Sequence, residues 1–340
     1  MTPCFLEINK TNNNLKKLKT MTIENTKTYR GDEVEKIFFR PSFCGADADK
    51  LGIRVLYNMP MPTTVQVWSR PKNVLQTFES GWSGGTNSEK QQKTIDMQRV
   101  KAESKFSSED YASLIFEKIV GNSAVNQGDL TGTELEQAET ELFRLAISES
   151  VRSTLWIGDK KGEISDNTTF DGILRHISDM RDDIQAVVIS SGDTNTPEAI
   201  EMLKGCWDQA TPELKALRSE GQLAYFVSSD VCNSYIEQLD NWGTDAAYVD
   251  MVNGRQQLYY RGIPVIEVPL NGYSKSKFTD FCLLTDRRNL VLALNTADMP
   301  ENEVRMWYNP DEMENRQRAV FLAGSQVLDA NLVSIYYTNY

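Results

Sequence analysis

The chain has 340 residues, 40% of them hydrophobic, and a formal net charge of −12. That length suits one or two domains, and no stretch approaches the roughly 20 consecutive apolar residues of a membrane helix. The negative balance argues against a protein that grips nucleic acid by neutralising phosphates, which needs the opposite sign.

Residues 1–35 are polar and rich in Asn, Lys and Thr, and are expected to be extended or disordered. The first 20 are basic, with Lys10, Lys16, Lys17 and Lys19 against Glu7, so they read as a solvated tail or as an arm that touches nucleic acid or a scaffold. Met21 is a second plausible start. No apolar run with a small-residue cleavage site is present at the N-terminus, so no secretory signal is expected and the sequons at Asn9 and Asn167 carry no meaning.

Met59-Pro60-Met61-Pro62 is a stiff elbow that cannot be helical. Residues 63–79 then alternate as a strand, Gly81-Trp82-Ser83-Gly84-Gly85 forms a flexible tip, and residues 93–103 alternate again on the return. An isolated hairpin is marginal in water. Its apolar residues, Val65, Val67, Trp68, Val74, Leu75, Phe78 and Trp82, need cover that a neighbouring subunit could supply. Trp68, Phe78 and Trp82 are the candidate assembly contacts.

A short helix is expected from Ser107 or Ser108 to about Val120. A long one follows over 134–157, with Thr133 and Glu136 as a capping box and Gly158 as its stop. Leu135, Ala138, Leu142, Leu145 and Ala146 form one apolar stripe, and Phe143, Ile147, Val151 and Leu155 an adjacent one. Leu142 is expected to be buried under a sheet. Glu141 with Arg144 and Glu149 with Arg152 are expected pairs on the wet face. At 1.5 Å per residue this helix is a beam roughly 35 Å long.

Helices and strands alternate over 172–300. Thr196-Pro197-Glu198 and Thr211-Pro212-Glu213 are helix starts of one design, with a Thr cap, Pro at the first position and an acid in the first turn. Gln222–Ser228 is a buried strand, and Ser229 opens a helix with Cys232, Tyr235, Ile236 and Leu239 on one face. Ile263–Val268, Phe281–Thr285 and Leu290–Leu294 are strands, the last two expected as a hairpin about Asp286–Asn289. Val304–Tyr308, Arg318–Ala323 and Leu332–Thr338 close the chain as strands.

Catalytic vocabulary is sparse. The one histidine, His176, sits beside Ile173, Leu174 and Ile177 and reads as a helix-surface or packing residue rather than a base. The five cysteines, Cys4, Cys44, Cys206, Cys232 and Cys282, lack metal or redox spacing and read as free buried thiols. No phosphate loop or dinucleotide fingerprint occurs, Asp166 to Asp171 lacks calcium-loop spacing, and Asp179, Asp182 and Asp183 read as a solvated cluster.

The order of the elements resembles the tailed-phage major capsid family, the Hong Kong 97-like fold. A polar arm and a long hairpin lead through Val100-Lys101-Ala102-Glu103 to Phe106-Ser107-Ser108-Glu109-Asp110-Tyr111, then to a capped long helix and Trp156-Ile157-Gly158-Asp159. Phe170-Asp171-Gly172-Ile173-Leu174 is similar to the family's entry into its axial domain, and Tyr260-Arg261-Gly262-Ile263-Pro264-Val265 to its Leu-x-Gly-x-Pro-Val strand. The hairpin around Asp286 and a terminal strand pair, Gln317–Val327 then Ala330–Ile335, follow in the family's order. The resemblance covers roughly residues 37–340 and implies an α+β chain with an N-arm (1–58), an extended loop (59–100), a peripheral domain (101–171 and 298–340) with a spine helix, and an axial domain (172–297).

The resemblance further implies a structural protein, not an enzyme, that assembles into pentamers and hexamers of an icosahedral shell around double-stranded DNA. The expected partners are copies of itself, a scaffold, a portal and head-completion proteins. Neither cofactor, metal nor membrane is expected, and the expected location is a virion capsid assembled in a bacterial cytoplasm. Some members of the family join a hairpin Lys to a neighbour's Asn with a Glu as base. Lys90 and Lys93 near the tip, Asn315 and Asn331, and Glu314 are not aligned as such a site, so no cross-link is expected. Two other readings stay open: an encapsulin-like compartment that holds protein cargo, and a small α/β enzyme using carboxylates in an acidic pocket.

Overall fold

The computed structural model describes residues 27–30, 52–59, 63–68, 77–78, 80–81, 90–107, 134–162, 167–181, 183–189, 198–241, 248–252, 255–270, 280–295 and 303–338. In chain order these form strands β1 (Lys27–Arg30), β2 (Arg54–Tyr57), β3 (Thr63–Trp68), β4 (Lys90–Ile95) and β5 (Gln98–Ser107), then helices α1 (Glu134–Ile157) and α2 (Ile173–Asp179). Strand β6 (Gln185–Ile189) precedes α3 (Ala199–Gln209) and α4 (Pro212–Ala216), and β7 (Leu223–Ser228) runs straight into α5 (Ser229–Asn241). Strands β8 (Tyr248–Val252), β9 (Arg255–Tyr260), β10 (Ile263–Val268), β11 (Phe281–Asp286), β12 (Leu290–Asn295), β13 (Glu303–Asn309), β14 (Glu314–Val327) and β15 (Val333–Thr338) complete the chain. It divides into two structural units, residues 1–39, 100–148 and 296–321 in one and 40–99, 149–295 and 322–340 in the other.

In the first unit β13 lies between β1 and the first half of β14, antiparallel to both, and β5 also pairs with β14. The period-2 pattern sets the faces. Val304, Met306, Asn315, Gln317 and Ala319 are buried, while Arg305, Trp307, Arg316 and Arg318 point the other way and are half-buried. Thr140 Oγ1 lies 3.3 Å from Met306 Sδ, which sets the start of α1 against the buried face.

Helix α1 spans the residues that its periodicity predicts and stops before Gly158. Its buried stripe is Phe143, Ile147, Val151 and Leu155. Leu142 and Leu145 are 58% and 55% exposed, and Ala146 is exposed with them. The expectation that Leu142 is buried is therefore wrong. Of the two apolar stripes on this helix, the one carrying Phe143 is buried, and the described members of the other, Leu142, Leu145 and Ala146, are exposed. The expected Glu141–Arg144 ion pair is present.

The second unit is organised by a seven-stranded mixed sheet, in the order β6-β15-β11-β7-β10-β9-β8. Both faces are covered, so β7 and β11 are buried at every position. Leu223, Tyr225, Val227, Cys282 and Leu284 share one core with Leu203 and Cys206 of α3 and Tyr235 and Leu239 of α5. Phe226 and Phe281, on the opposite face, pack on Trp156 from the last turn of α1, with ring centroids 5.3 and 5.8 Å apart. Cys206, Cys232 and Cys282 are free and buried, as expected, and burial pushes the Cys232 thiol up to about 11.

The local start signals behave differently at the two helices that carry them. Thr211 caps α4, its Oγ1 accepting from Leu214 N at 3.1 Å, with Pro212 at the first position. Helix α3 begins at Ala199, with Glu198 in the cap position and no side-chain cap bond. Thr196 and Pro197 lie outside the described residues, as do Thr133, the short helix expected before it, and most of the loop tip. Arg261 and Gly262 have φ of 50° and 77°, and Ile263 pairs with Tyr260. This two-residue turn of the mirror-image type forms the motif between β9 and β10.

Two sequence expectations change at the junctions. Strands β11 and β12 are consecutive but form no hairpin. Both edges of β11 are taken, by β7 and β15, so β12 pairs instead with the second half of β14 and with β2. The short turn Arg287–Asn289 carries the chain across. Asp286 Oδ1 accepts from Arg288 N at 2.8 Å, and Asn289 ties the turn to Asp329 at 2.8 and 2.9 Å. The second change is at β15, which the sequence reading groups with β13 and β14. It fills the place between β6 and β11 in the seven-stranded sheet, burying Val333, Ile335 and Tyr337.

Candidate assembly surface

Strands β3 and β4 form a sheet of their own, paired antiparallel from Thr63–Ile95 at the base to Trp68–Lys90 at the outer end. The base is buried, with Thr63, Ile95 and Met97 at 4%, 0% and 1% exposure. Further out Thr64, Gln66, Gln92 and Thr94 are exposed and Val65 is half-buried. The period-2 pattern thus continues along the described positions, but full burial is confined to the base, where a core receives one face.

The base is held from several directions. Asn295 Nδ2 donates to Met59 O just before β3. Gln326 Nε2 donates to Thr94 O at 3.0 Å at the end of β4, and Lys160 Nζ lies 2.8 Å from Asp96 Oδ2. Gly324 is needed here for space, since a Cβ on it would stand 2.6 Å from Asp96 O. Among the described residues the pair has no further strand neighbour, so its contacts with the body are at the base.

The same region receives the end of α1. Gly158 N donates to Thr154 O and Gly172 N to Gly158 O, each at 2.8 Å. A Cβ on Gly158 would meet Phe170 O at 2.2 Å, and one on Gly172 would meet Gly158 N at 2.6 Å. The glycines of the Trp156–Asp159 and Phe170–Leu174 motifs are therefore backbone contacts with each other. Lys160 N donates to Asp171 Oδ1 at 2.9 Å, and Ser325 Oγ donates to Asp171 O at 2.6 Å. His176 is packed beside this junction with its Nε2 enclosed and unpartnered, and burial lowers its pKa against the opposing pull of Asp171 and Asp179. Of the helix-surface and packing readings, this is packing.

Of the three residues named from sequence, Phe78 is 93% exposed. Trp68 is in β3 opposite Lys90 at the outer end of the pair, and Trp82 lies outside the described residues. The structure adds exposed hydrophobics that sequence reasoning missed: Leu142, Leu145 and Met313. Met313, at the β13–β14 turn, is 63% exposed and has a φ of 52°, a region that disfavours an L side chain. Pro310 and Asp311 were the available signal for a turn there, but nothing local marks the side chain as exposed. Among the described residues no group of three or more His, Cys, Asp or Glu could hold a metal, and no helix is long and apolar enough to cross a membrane.

No protein-family model matches the sequence, and no curated protein matches it. Solved structures do match. A chain of the satellite phage P4 procapsid, determined with its size determination (Sid) protein, is similar with a TM-score of 0.54 at 11% identity, over 88% of this chain and 97% of that one. A structure from Gordonia phage Cozz is similar with a TM-score of 0.51 at 12% identity, over 86% of each chain. The holo-SrpI encapsulin complex from Synechococcus elongatus is less similar, with a TM-score of 0.44 at 12% identity, over 83% of this chain and 84% of that one. A base-anchored hairpin, a long helix ending on a glycine contact, a doubly covered mixed sheet and the two phage likenesses agree: the chain has the Hong Kong 97-like capsid fold.

Proposed function

We propose that this chain is the major capsid protein of a tailed bacteriophage, a structural protein that assembles into the pentamers and hexamers of an icosahedral shell around double-stranded DNA. The observation that carries the reading is the hairpin. It is held at Met59, Thr94 and Asp96, has no further sheet partner among the described residues, and presents Phe78 at 93% exposure. Burying that side chain on a neighbour at about 25 cal/mol per Å² contributes about 2 to 3 kcal/mol. The contact is individually modest, but every copy in a closed lattice makes it. In this reading the seven-stranded sheet and its helices are the axial region at the capsomer centre. The sheet of the first unit with the start of α1 is the peripheral region, and residues 59–100 reach across a neighbour. A scaffold, a portal and head-completion proteins would be its partners, in a bacterial cytoplasm first and in the virion afterwards.

The test is deletion of residues 80–92 in the full chain, followed by electron microscopy and circular dichroism. The expected product keeps the wild-type spectrum and thermal transition but forms no closed shells. Normal shells from the deletion would refute the clamp role of the hairpin. Native particles that hold a protein cargo and no double-stranded DNA would replace the virion with a compartment.

A further inference from the structure

One end of the seven-stranded sheet carries two arginines that rest on aromatic rings instead of carboxylates. Arg218 lies in the 3-10 turn Leu217–Glu220 just before β7, with its guanidinium 5.6 Å from the centroid of the Trp207 ring on α3. Arg261 lies in the turn just before β10, 5.3 Å from the centroid of the Tyr260 ring. Strands β7 and β10 are parallel neighbours, so the two turns share one end of the sheet, and Arg218 Nη2 donates to Arg261 O between them. Tyr225 and Tyr235 meet the Tyr260 ring edge-on at 5.9 and 6.4 Å, which ties this platform to the core. Both arginines are exposed, and neither makes an ion pair among the described residues. Arg288, at the same end, already engages Asp286 and Glu220 at 2.6 and 3.1 Å. The other end of β7 is acidic. Asp230 and Glu267 are exposed there, with no ion pair among the described residues. Ser229 Oγ donates to Glu267 at 2.7 Å, and burial together with the Asp230 charge holds the nearby Asp280 carboxyl above its ordinary value.

We infer that Arg218 and Arg261 on their rings form a docking patch for a second copy of this chain, met by the acidic end of that copy's sheet around Asp230 and Glu267; the inference rests on the shell reading. Charge complementarity selects this occupant. A chain of net charge −12 repels its own copies, so packing them side by side needs local contacts of opposite sign. A contact repeated around a ring is heterologous, so each subunit must offer two different surfaces that fit each other. The two ends of β7 meet that requirement within one structural unit. Stacking holds each guanidinium plane in place, so less side-chain freedom is lost when its fork binds a carboxylate.

The experiment compares the full-length wild type with Arg261→Glu, with Asp230→Lys and with the double charge reversal Arg261→Glu/Asp230→Lys. Self-association is followed by sedimentation, closed shells by electron microscopy, and subunit stability by denaturant unfolding, with NaCl from about 0.05 to about 0.5 M. Each single reversal is expected to raise the protein concentration needed for association about tenfold at low salt, and by less at high salt. The double variant, in which reversed patches meet reversed patches, is expected to return to within about threefold of the wild type. The Arg261→Glu unfolding midpoint is expected to stay at the wild-type value, because the Arg261 side chain has no ion pair or hydrogen bond among the described residues. Association of Arg261→Glu at wild-type concentrations at every salt would overturn the inference, and so would a double variant as impaired as the single ones. A lowered Arg261→Glu midpoint without rescue in the double variant would overturn it too, by giving Arg261 a role in the subunit's own fold. So would unchanged association with loss of binding to a short DNA duplex, which would make nucleic acid the partner. A wild type that stays monomeric at all salts would overturn the shell reading and this inference together, an outcome distinct from variants that match a wild type that assembles.

Discussion

Replacing Trp156 by alanine tests the packing that fixes the end of α1 on the seven-stranded sheet. Trp156 is fully enclosed, tilted against Phe226 at 5.3 Å and stacked on Phe281 at 5.8 Å between ring centroids. A tryptophan buries on the order of 200 Å², which at about 25 cal/mol per Å² amounts to about 5 kcal/mol. Its Nε1 makes no hydrogen bond, and an unpaired buried N–H costs about 1 to 3 kcal/mol, a cost that the substitution removes. The net expectation is a loss of about 3 kcal/mol, the low end of the range for large aromatic to alanine changes. Trp156→Phe keeps the ring contact and discards the unpaired N–H, so it is expected to cost under about 1.5 kcal/mol. Denaturant unfolding of the full chain followed by far-ultraviolet circular dichroism measures both. A loss below about 1 kcal/mol for Trp156→Ala, or a Trp156→Phe variant as unstable as the alanine, would refute the reasoning.

Leu142→Asp is expected to stay soluble with an unchanged spectrum and to shift stability by no more than about 0.5 kcal/mol, as surface substitutions do; its loss to inclusion bodies would place Leu142 in a core. His176 has a lowered pKa in the folded chain, so the unfolded chain binds protons more readily: stability is full above the ordinary value of about 6.5 and falls as pH drops below it. His176→Gln should lose that part of the acid slope in unfolding midpoints taken between about pH 7 and 5, and a variant with the wild-type slope would refute the assignment. Particles boiled in detergent are expected to run as a single band, since Lys90 and Lys93 are not aligned with Asn315 or Asn331 as a cross-linking site; a ladder of oligomers would overturn that.

What the sequence determined by itself is what depends on near neighbours along the chain. Helix α1 has the predicted bounds because its 3.6-residue period runs unbroken to Gly158, where a Cβ would collide with the backbone of Thr154 and Phe170. Thr211-Pro212 starts α4 and Arg261-Gly262 turns β9 into β10 for equally local reasons. The hairpin was legible only in part: the return strand expected over 93–103 ends at Ile95, and from Gln98 the chain is β5, which pairs with β14. The tertiary structure alone decided which of two apolar stripes on α1 is buried, because Leu142 and Phe143 are alike in hydrophobicity and differ only in which side of the helix meets the sheet. It alone separated β11 from β12, whose connecting turn is as short as a hairpin's, because pairing depends on which strand edges are already taken.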